Sequence, residues 1–192
     1  MSEGCNDHRW RTGSWLALEW VLLRLFSCGI AWGVFGGLAV RFYGGPRRVS
    51  DIDILVSPGC LERAAMMLGA PITMEVGEQV RLRRATRWGV DLCGDVVAAI
   101  DGGIQPFTLD VEMARRRHVK LWYGMPLFVI APEDTLVLKA IAQHGPEDGK
   151  RDVADVAAIL KRQQRLDHGY LMWRAEVCGA ADRVRSLIAQ LE

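Results

Sequence analysis

The sequence predicts an α/β (α+β) fold: a mixed sheet flanked by helices, followed by a helical C-terminal part. Three patterns carry that expectation. Up to residue 131, short apolar runs bounded by glycine, proline or serine alternate with stretches of good helix formers. From Pro132 onward the strand-like runs stop and helical periodicity takes over. At 192 residues, half of them hydrophobic and about a quarter charged, the chain is long enough to bury one real core. We therefore expect residues 1–131 to form the α/β domain with an N-terminal helix, and 132–192 to pack on it as a helical part.

Each element has a local reason. Residues 14–28 are nearly all apolar helix formers, with Ser14 placed to act as N-cap. A short strand is expected at 31–35, ending in a turn at Gly36-Gly37. A short helix over 38–43 follows, stopped by Gly44-Gly45-Pro46. Residues 51–56 read as the second strand and 61–68 as a helix after Ser57-Pro58. Strands are then expected at 72–76, 80–84 and 88–93. In 94–117 the pattern supports only a turn at Gly102-Gly103 and a short helix over 111–117. Strands at 120–123 and 127–130 meet at Gly124-Met125, and helices are expected at 133–144, 150–162, 170–177 and 181–191.

Composition excludes some functions. A net charge of +1 provides no overall field for nucleic acid or membrane, so any basic surface must be local. The five cysteines are scattered, odd in number and lack zinc spacing, which indicates reduced thiols. The first residues are polar and charged without a signal-peptide pattern, so a cytoplasmic protein is expected. The apolar stretch 16–40 is interrupted by Glu19, Arg24 and four glycines, and reads as a buried helix and strand rather than a membrane span. Trp10, Trp15, Trp20 and Trp32 are expected in core packing, with the N-terminal helix a candidate interface.

The most informative residues are Asp51 and Asp53, one residue apart in an apolar run. Strand side chains alternate, so both carboxylates project to one side of the chain. Two like charges held that close repel unless a divalent cation lies between them. Gly36-Gly37, about fourteen residues upstream, lets backbone N–H groups approach a phosphate. The combination points to a magnesium–nucleotide site.

The run Gly36-Gly37-Leu38-Ala39-Val40-Arg41, followed by Arg47-Arg48-Val49-Ser50-Asp51-Ile52-Asp53-Ile54-Leu55-Val56, resembles the signature of the nucleotidyltransferase superfamily. That signature pairs Gly-Gly or Gly-Ser with hydrophobic–Asp–hydrophobic–Asp–hydrophobic. Family members carry a third carboxylate on a later strand, and Val90-Asp91-Leu92 matches in character and order, with Asp95 and Asp110 as competing positions. Residues 124–139, ending in Lys139, resemble the segment leading to a helical lysine in small stand-alone and abortive-infection-type toxin members. Lys150-Arg151-Asp152-Val153-Ala154-Asp155 resembles the helix that follows it. Two departures stand out: Val49 occupies a position often held by a hydroxyl residue, with Ser50 beside it, and His144-Gly145-Pro146 replaces an expected arginine.

The resemblance implies a polymerase-beta-like fold and transfer of a nucleoside monophosphate from a nucleoside triphosphate to an acceptor hydroxyl. It implies Mg2+, with Mn2+ as substitute, held by Asp51, Asp53 and Asp91. It also implies phosphate contacts from Gly36, Gly37, Arg47, Ser50 and Lys139, with Arg41 as a further source of charge. Asp152 and Asp155 lie three apart on one helix face and either orient Lys139 or brace the helical part. The acceptor stays open between RNA, protein and a small molecule. A catalytically silent nucleotide- or partner-binding protein and a toxin with a cognate antitoxin are the alternatives, and a homodimer is an open assembly. The arginines at 81, 83, 84 and 87 and at 115–117 read first as solvated faces and second as contacts to a polyanionic acceptor.

Overall fold

The computed structural model of the chain describes residues 12–46, 49, 51–69, 72–76, 79–83, 89–100, 103–142, 151–163 and 165–191. Helix α1 spans Thr12–Leu25, so Ser14 lies within it rather than at its cap. Strand β1 (Trp32–Val34) leads into α2 (Gly36–Phe42), and β2 (Ile52–Val56) into α3 (Leu61–Leu68). Strands β3 (Ile72–Val76), β4 (Gln79–Arg83) and β5 (Gly89–Cys93) follow. Two strands absent from the sequence expectation come next, β6 (Asp95–Ile100) and β7 (Gly103–Thr108), paired as a separate hairpin. Helix α4 (Val111–Arg116) joins them to β8 (His118–Trp122) and β9 (Met125–Val129). Helices α5 (Pro132–Ala142), α6 (Asp152–Arg162), α7 (His168–Val177) and α8 (Ala181–Leu191) complete the chain.

The main sheet has seven strands in the order β3-β4-β5-β2-β1-β9-β8. It is mixed: β2 runs parallel to β5 and β1 parallel to β9, while the other pairs are antiparallel. The sheet's central strand β2 carries Ile52, Ile54, Leu55 and Val56 fully buried. Both of its faces are therefore covered at this end, which is why the strand reads as a near-continuous apolar run broken only by an acid.

Helix α5 is the hub of the helical part. Pro132 starts it, Glu133 and Asp134 occupy its first turn, and every residue from Pro132 to Ile141 is buried. It packs against α2 and against α6, α7 and α8. Buried on all sides, it has no amphipathic stripe, and its polar residues Glu133, Asp134, Thr135 and Lys139 are buried with the apolar residues between Leu136 and Ile141. Among the described residues no helix is long and apolar enough to cross a membrane. Trp20 and Trp32 are buried in the core as expected, whereas the side chains of Trp10 and Trp15 lie outside the described residues.

A buried polar cluster ties α4 to this hub. Arg174 of α7, only 2% exposed, donates to both carboxylate oxygens of Asp110 at 2.6 and 3.0 Å. Asp110 also caps α4 by accepting from the Met113 N–H at 2.8 Å. The Tyr170 hydroxyl donates to Asp134 at 2.7 Å and accepts from Arg174 at 3.1 Å. Burial pushes the Asp134 carboxyl up to about 7, against the opposing pull of Tyr170 and Arg174. Arg174 Nε also lies 3.1 Å from the fully buried Asp134, so removing the arginine leaves that acid without its cation. Arg174→Ala is therefore expected to cost about 3–5 kcal/mol in denaturant unfolding. Arg174→Lys should recover only part of this, because an ammonium cannot bridge both oxygens of Asp110.

Candidate active site

The parallel register of β2 and β5 sets Asp53 directly beside Asp91, and the two-residue period of β2 keeps Asp51 on the same side as Asp53. One carboxylate oxygen from each of Asp51, Asp53 and Asp91 lies within 4.8 Å of the others. Asp91 is buried; Asp51 and Asp53 are half-buried. The three sequence-predicted carboxylates thus converge from two strands separated by α3, β3 and β4. The competing positions lie elsewhere: Asp110 is bonded to Arg174, and Asp95 starts the β6–β7 hairpin.

The paired glycines meet the cluster. They form the first turn of α2 itself rather than a turn preceding it, a correction to the expected start at residue 38. Gly36 has a φ of +62°, and a β-carbon there would collide with Asp53 Oδ2. The Gly37 N–H donates to the Asp53 carboxylate, and the Phe35 N–H donates to the Asp53 carbonyl at 3.0 Å. Only a residue lacking a side chain lets the α2 backbone close on the acid this tightly.

Electrostatics of the cluster follow from its crowding. Burial, then the neighbouring Asp51 and Asp91 charges, push the Asp53 carboxyl up to about 7; Lys139 and the Gly37 N–H offset part of this. Lys139 is buried on α5, with its Nζ 2.5 Å from Asp152 and 3.0 Å from Asp155. Both aspartates are buried on α6. Both contact Nζ and join α6 to α5, a geometry that serves orienting the lysine and bracing the helices alike. The i, i+3 spacing of the two acids was the sequence signal for that shared grip. Arg47, Ser50 and the His144 segment lie outside the described residues.

A raised carboxyl has a defined consequence for stability. Between about pH 4 and pH 7 the folded chain holds a proton on Asp53 that the unfolded chain has lost, so stability falls as pH rises through that window. Asp134 contributes with the same sign. In a chelator, the melting temperature is expected to drop from pH 5 to pH 8, and Asp53→Asn to flatten the slope. Added Mg2+ should raise the melting temperature more at pH 8 than at pH 5, because protons compete for the same oxygens.

No family model and no curated protein sequence matches the chain. Solved structures do. An antigenic nucleotidyltransferase-like protein from Paracoccidioides brasiliensis superposes with a TM-score of 0.59 at 15% identity, covering 92% of this chain and 86% of that one. The chain has the nucleotidyltransferase fold. The antibiotic-resistance factor ANT(2'')-Ia superposes on it with a TM-score of 0.53 at 17% identity, over 93% of this chain and 91% of its own. The lincosamide antibiotic adenylyltransferase LnuA, in its lincomycin-bound form, gives 0.51 at 17% identity, over 74% and 95%. At such identities the likeness concerns architecture; within the nucleotidyltransferase fold of this chain, the acidic cluster is the feature that bears on chemistry.

Proposed function

We propose that the chain transfers a nucleoside monophosphate from a nucleoside triphosphate to an acceptor hydroxyl. The observation that carries this reading is the convergence of Asp51, Asp53 and Asp91 within 4.8 Å, against the glycine pair at the start of α2. Three carboxylates and no softer ligand form a hard oxygen donor set, which suits Mg2+ or Mn2+. The crowding that pushes the Asp53 carboxyl up is a repulsion that a cation there would relieve. The residues fit the metal. Asp51, Asp53 and Asp91 would hold it, and when bound it would neutralise triphosphate charge and acidify the acceptor hydroxyl.

The chain's own groups would do the rest. In the transfer the acceptor oxygen bonds to the α-phosphorus, the bond from that phosphorus to the bridging oxygen breaks, and pyrophosphate leaves with the electron pair. Asp91, buried on β5, would take the hydroxyl proton. Gly36 and Gly37 offer a side-chain-free backbone to the phosphates, with Arg47 and Ser50 as further contacts. Lys139 provides positive charge from the α5 side, held in place by Asp152 and Asp155.

Two of the similar structures bear on the acceptor. LnuA is named as a lincosamide adenylyltransferase, and ANT(2'')-Ia has been seen with adenylyl-2''-tobramycin. A small hydroxylated molecule is therefore the first acceptor class to try, ahead of RNA or a protein hydroxyl. The test incubates the chain with Mg2+, each labelled triphosphate and a panel of aminoglycosides, lincosamides, transfer RNA and protein. Label transfer or pyrophosphate release that depends on Asp51 and Asp53 supports the reading. Triphosphate binding without any transfer would favour the catalytically silent alternative that Val49 motivates. Growth arrest on expression, relieved by Asp51→Ala, would favour a toxin with a cognate antitoxin.

A further inference from the structure

Strand β8 is the outermost strand of the seven-stranded sheet, with β9 on one side and no strand on the other among the described residues. Its hairpin with β9 turns through Tyr123 and Gly124, both at positive φ (47° and 82°), and Trp122 faces Met125 across the turn. A two-residue loop of this kind closes on a hydrogen-bonded pair. Counting back, Lys120–Leu127 and His118–Val129 are also hydrogen-bonded pairs, while Leu121–Pro126 and Val119–Phe128 are not. Pro126 has no N–H to give, which agrees. The backbone N–H and C=O groups of Val119 and Leu121 therefore point away from β9, toward the open edge.

The side chains of that edge are apolar and exposed. Val119 is 59% and Leu121 73% exposed, on the face they share with Phe128. The Phe128 ring stacks on Phe26 at 6.0 Å between centroids, and Leu23 sits one helical turn before Phe26 on α1. Leu23 and Phe26 are themselves 62% and 56% exposed. An apolar strip thus runs from the end of α1 across β9 to the free edge of β8. An edge whose backbone groups have no strand partner among the described residues, and which carries exposed aliphatic residues, is one that proteins ordinarily avoid or use.

Charge says what the strip suits. Lys120 lies over Tyr43 and Arg24 over Trp20, and neither pairs with a carboxylate among the described residues, whereas Arg117, over Phe128, already donates to the Ala114 and Trp32 carbonyls. The nearby Glu112 is taken by Arg115 and Arg116, and Asp167 by Arg116. We propose that the open edge of β8 docks an extended protein segment alternating apolar and acidic residues, which adds to the sheet as a further strand. Its apolar residues lie on Val119 and Leu121; its acids, on the opposite face of the added strand, meet Lys120. A second copy of this chain fits poorly, because an antiparallel pairing through Val119 and Leu121 sets the two Lys120 side chains directly opposite each other. RNA fits poorly because the outward side chains of the edge are aliphatic, with the Phe26 ring already stacked on Phe128.

The test selects a displayed random-peptide library on the full chain and measures the enriched peptides by fluorescence anisotropy. The expected result is a consensus of alternating apolar and acidic residues whose affinity falls with salt. Leu121→Lys and Leu121→Pro should each weaken binding about tenfold or more with the melting temperature unchanged, since β9 does not use the Leu121 N–H. Should the proline variant fail to fold, the lysine variant decides. The proposal is overturned by a library that yields no enrichment, or by peptides that bind both variants as well as wild type. Binding that a single-stranded RNA displaces, or Leu121-dependent dimers in sedimentation, overturns it in favour of RNA or of a second copy. None of these readouts involves nucleotide transfer, so the outcome is independent of the catalytic reading.

Discussion

Asp53→Asn is expected to abolish nucleotidyl transfer while raising the melting temperature of the metal-free protein. The two effects share one origin. Asp53 sits between Asp51 and Asp91, under the α2 backbone, where burial and like charge drive its carboxyl up to about 7. An amide of the same shape removes that repulsion, so the fold gains stability above about pH 5. The substitution also replaces one of three charged oxygen ligands by a neutral amide oxygen that binds a cation far more weakly, for which a rate loss of at least about 10^3-fold is expected. Steady-state transfer assays beside thermal melts in a chelator check both signs. A variant that loses activity and stability together would mean that Asp53 is a structural acid.

Gly36→Ala carries the second large effect, and here both quantities fall. At a φ of +62° any residue with a β-carbon pays about 1–2 kcal/mol for the left-handed conformation. At this position the added carbon also runs into Asp53 Oδ2, so either α2 or the carboxylate must move. Displacement of a reacting group by about 1 Å costs on the order of 10^2-fold in rate. Gly59 supplies the control: its φ is +73°, yet a β-carbon there meets open space. Gly59→Ala should cost only the conformational term in denaturant unfolding and leave transfer untouched. Equal losses in the two variants would show that the collision with Asp53 does not matter.

Much of the site was legible in the chain because its grammar is local. Asp51 and Asp53 declare a strand face by their spacing, and Gly36-Gly37 declares a backbone approach by composition. The partnership with Asp91 needed the parallel register of β2 and β5, which the order of motifs only suggested. The β6–β7 hairpin escaped for a physical reason. Its second strand contains Pro106, which argues against a strand unless the residue lies where no ladder bond is needed, and a two-stranded ribbon has only edges. The Arg174 cluster was invisible because Asp110 lies 64 residues away in sequence, and only the packing of α4 on α7 brings them together. The grip of Asp152 and Asp155 on Lys139 was half legible: their common face could be read, but not what it faced.

The central claim is that Asp51, Asp53 and Asp91 form one cation site. The most direct measurement is a titration of Mn2+ with a non-hydrolysable triphosphate, followed by the electron paramagnetic resonance of free manganese. Wild type should bind, and Asp51→Asn, Asp53→Asn and Asp91→Asn should each weaken binding about tenfold or more. Wild type that takes up no manganese, or an Asp91→Asn variant that binds it as wild type does, would contradict the account.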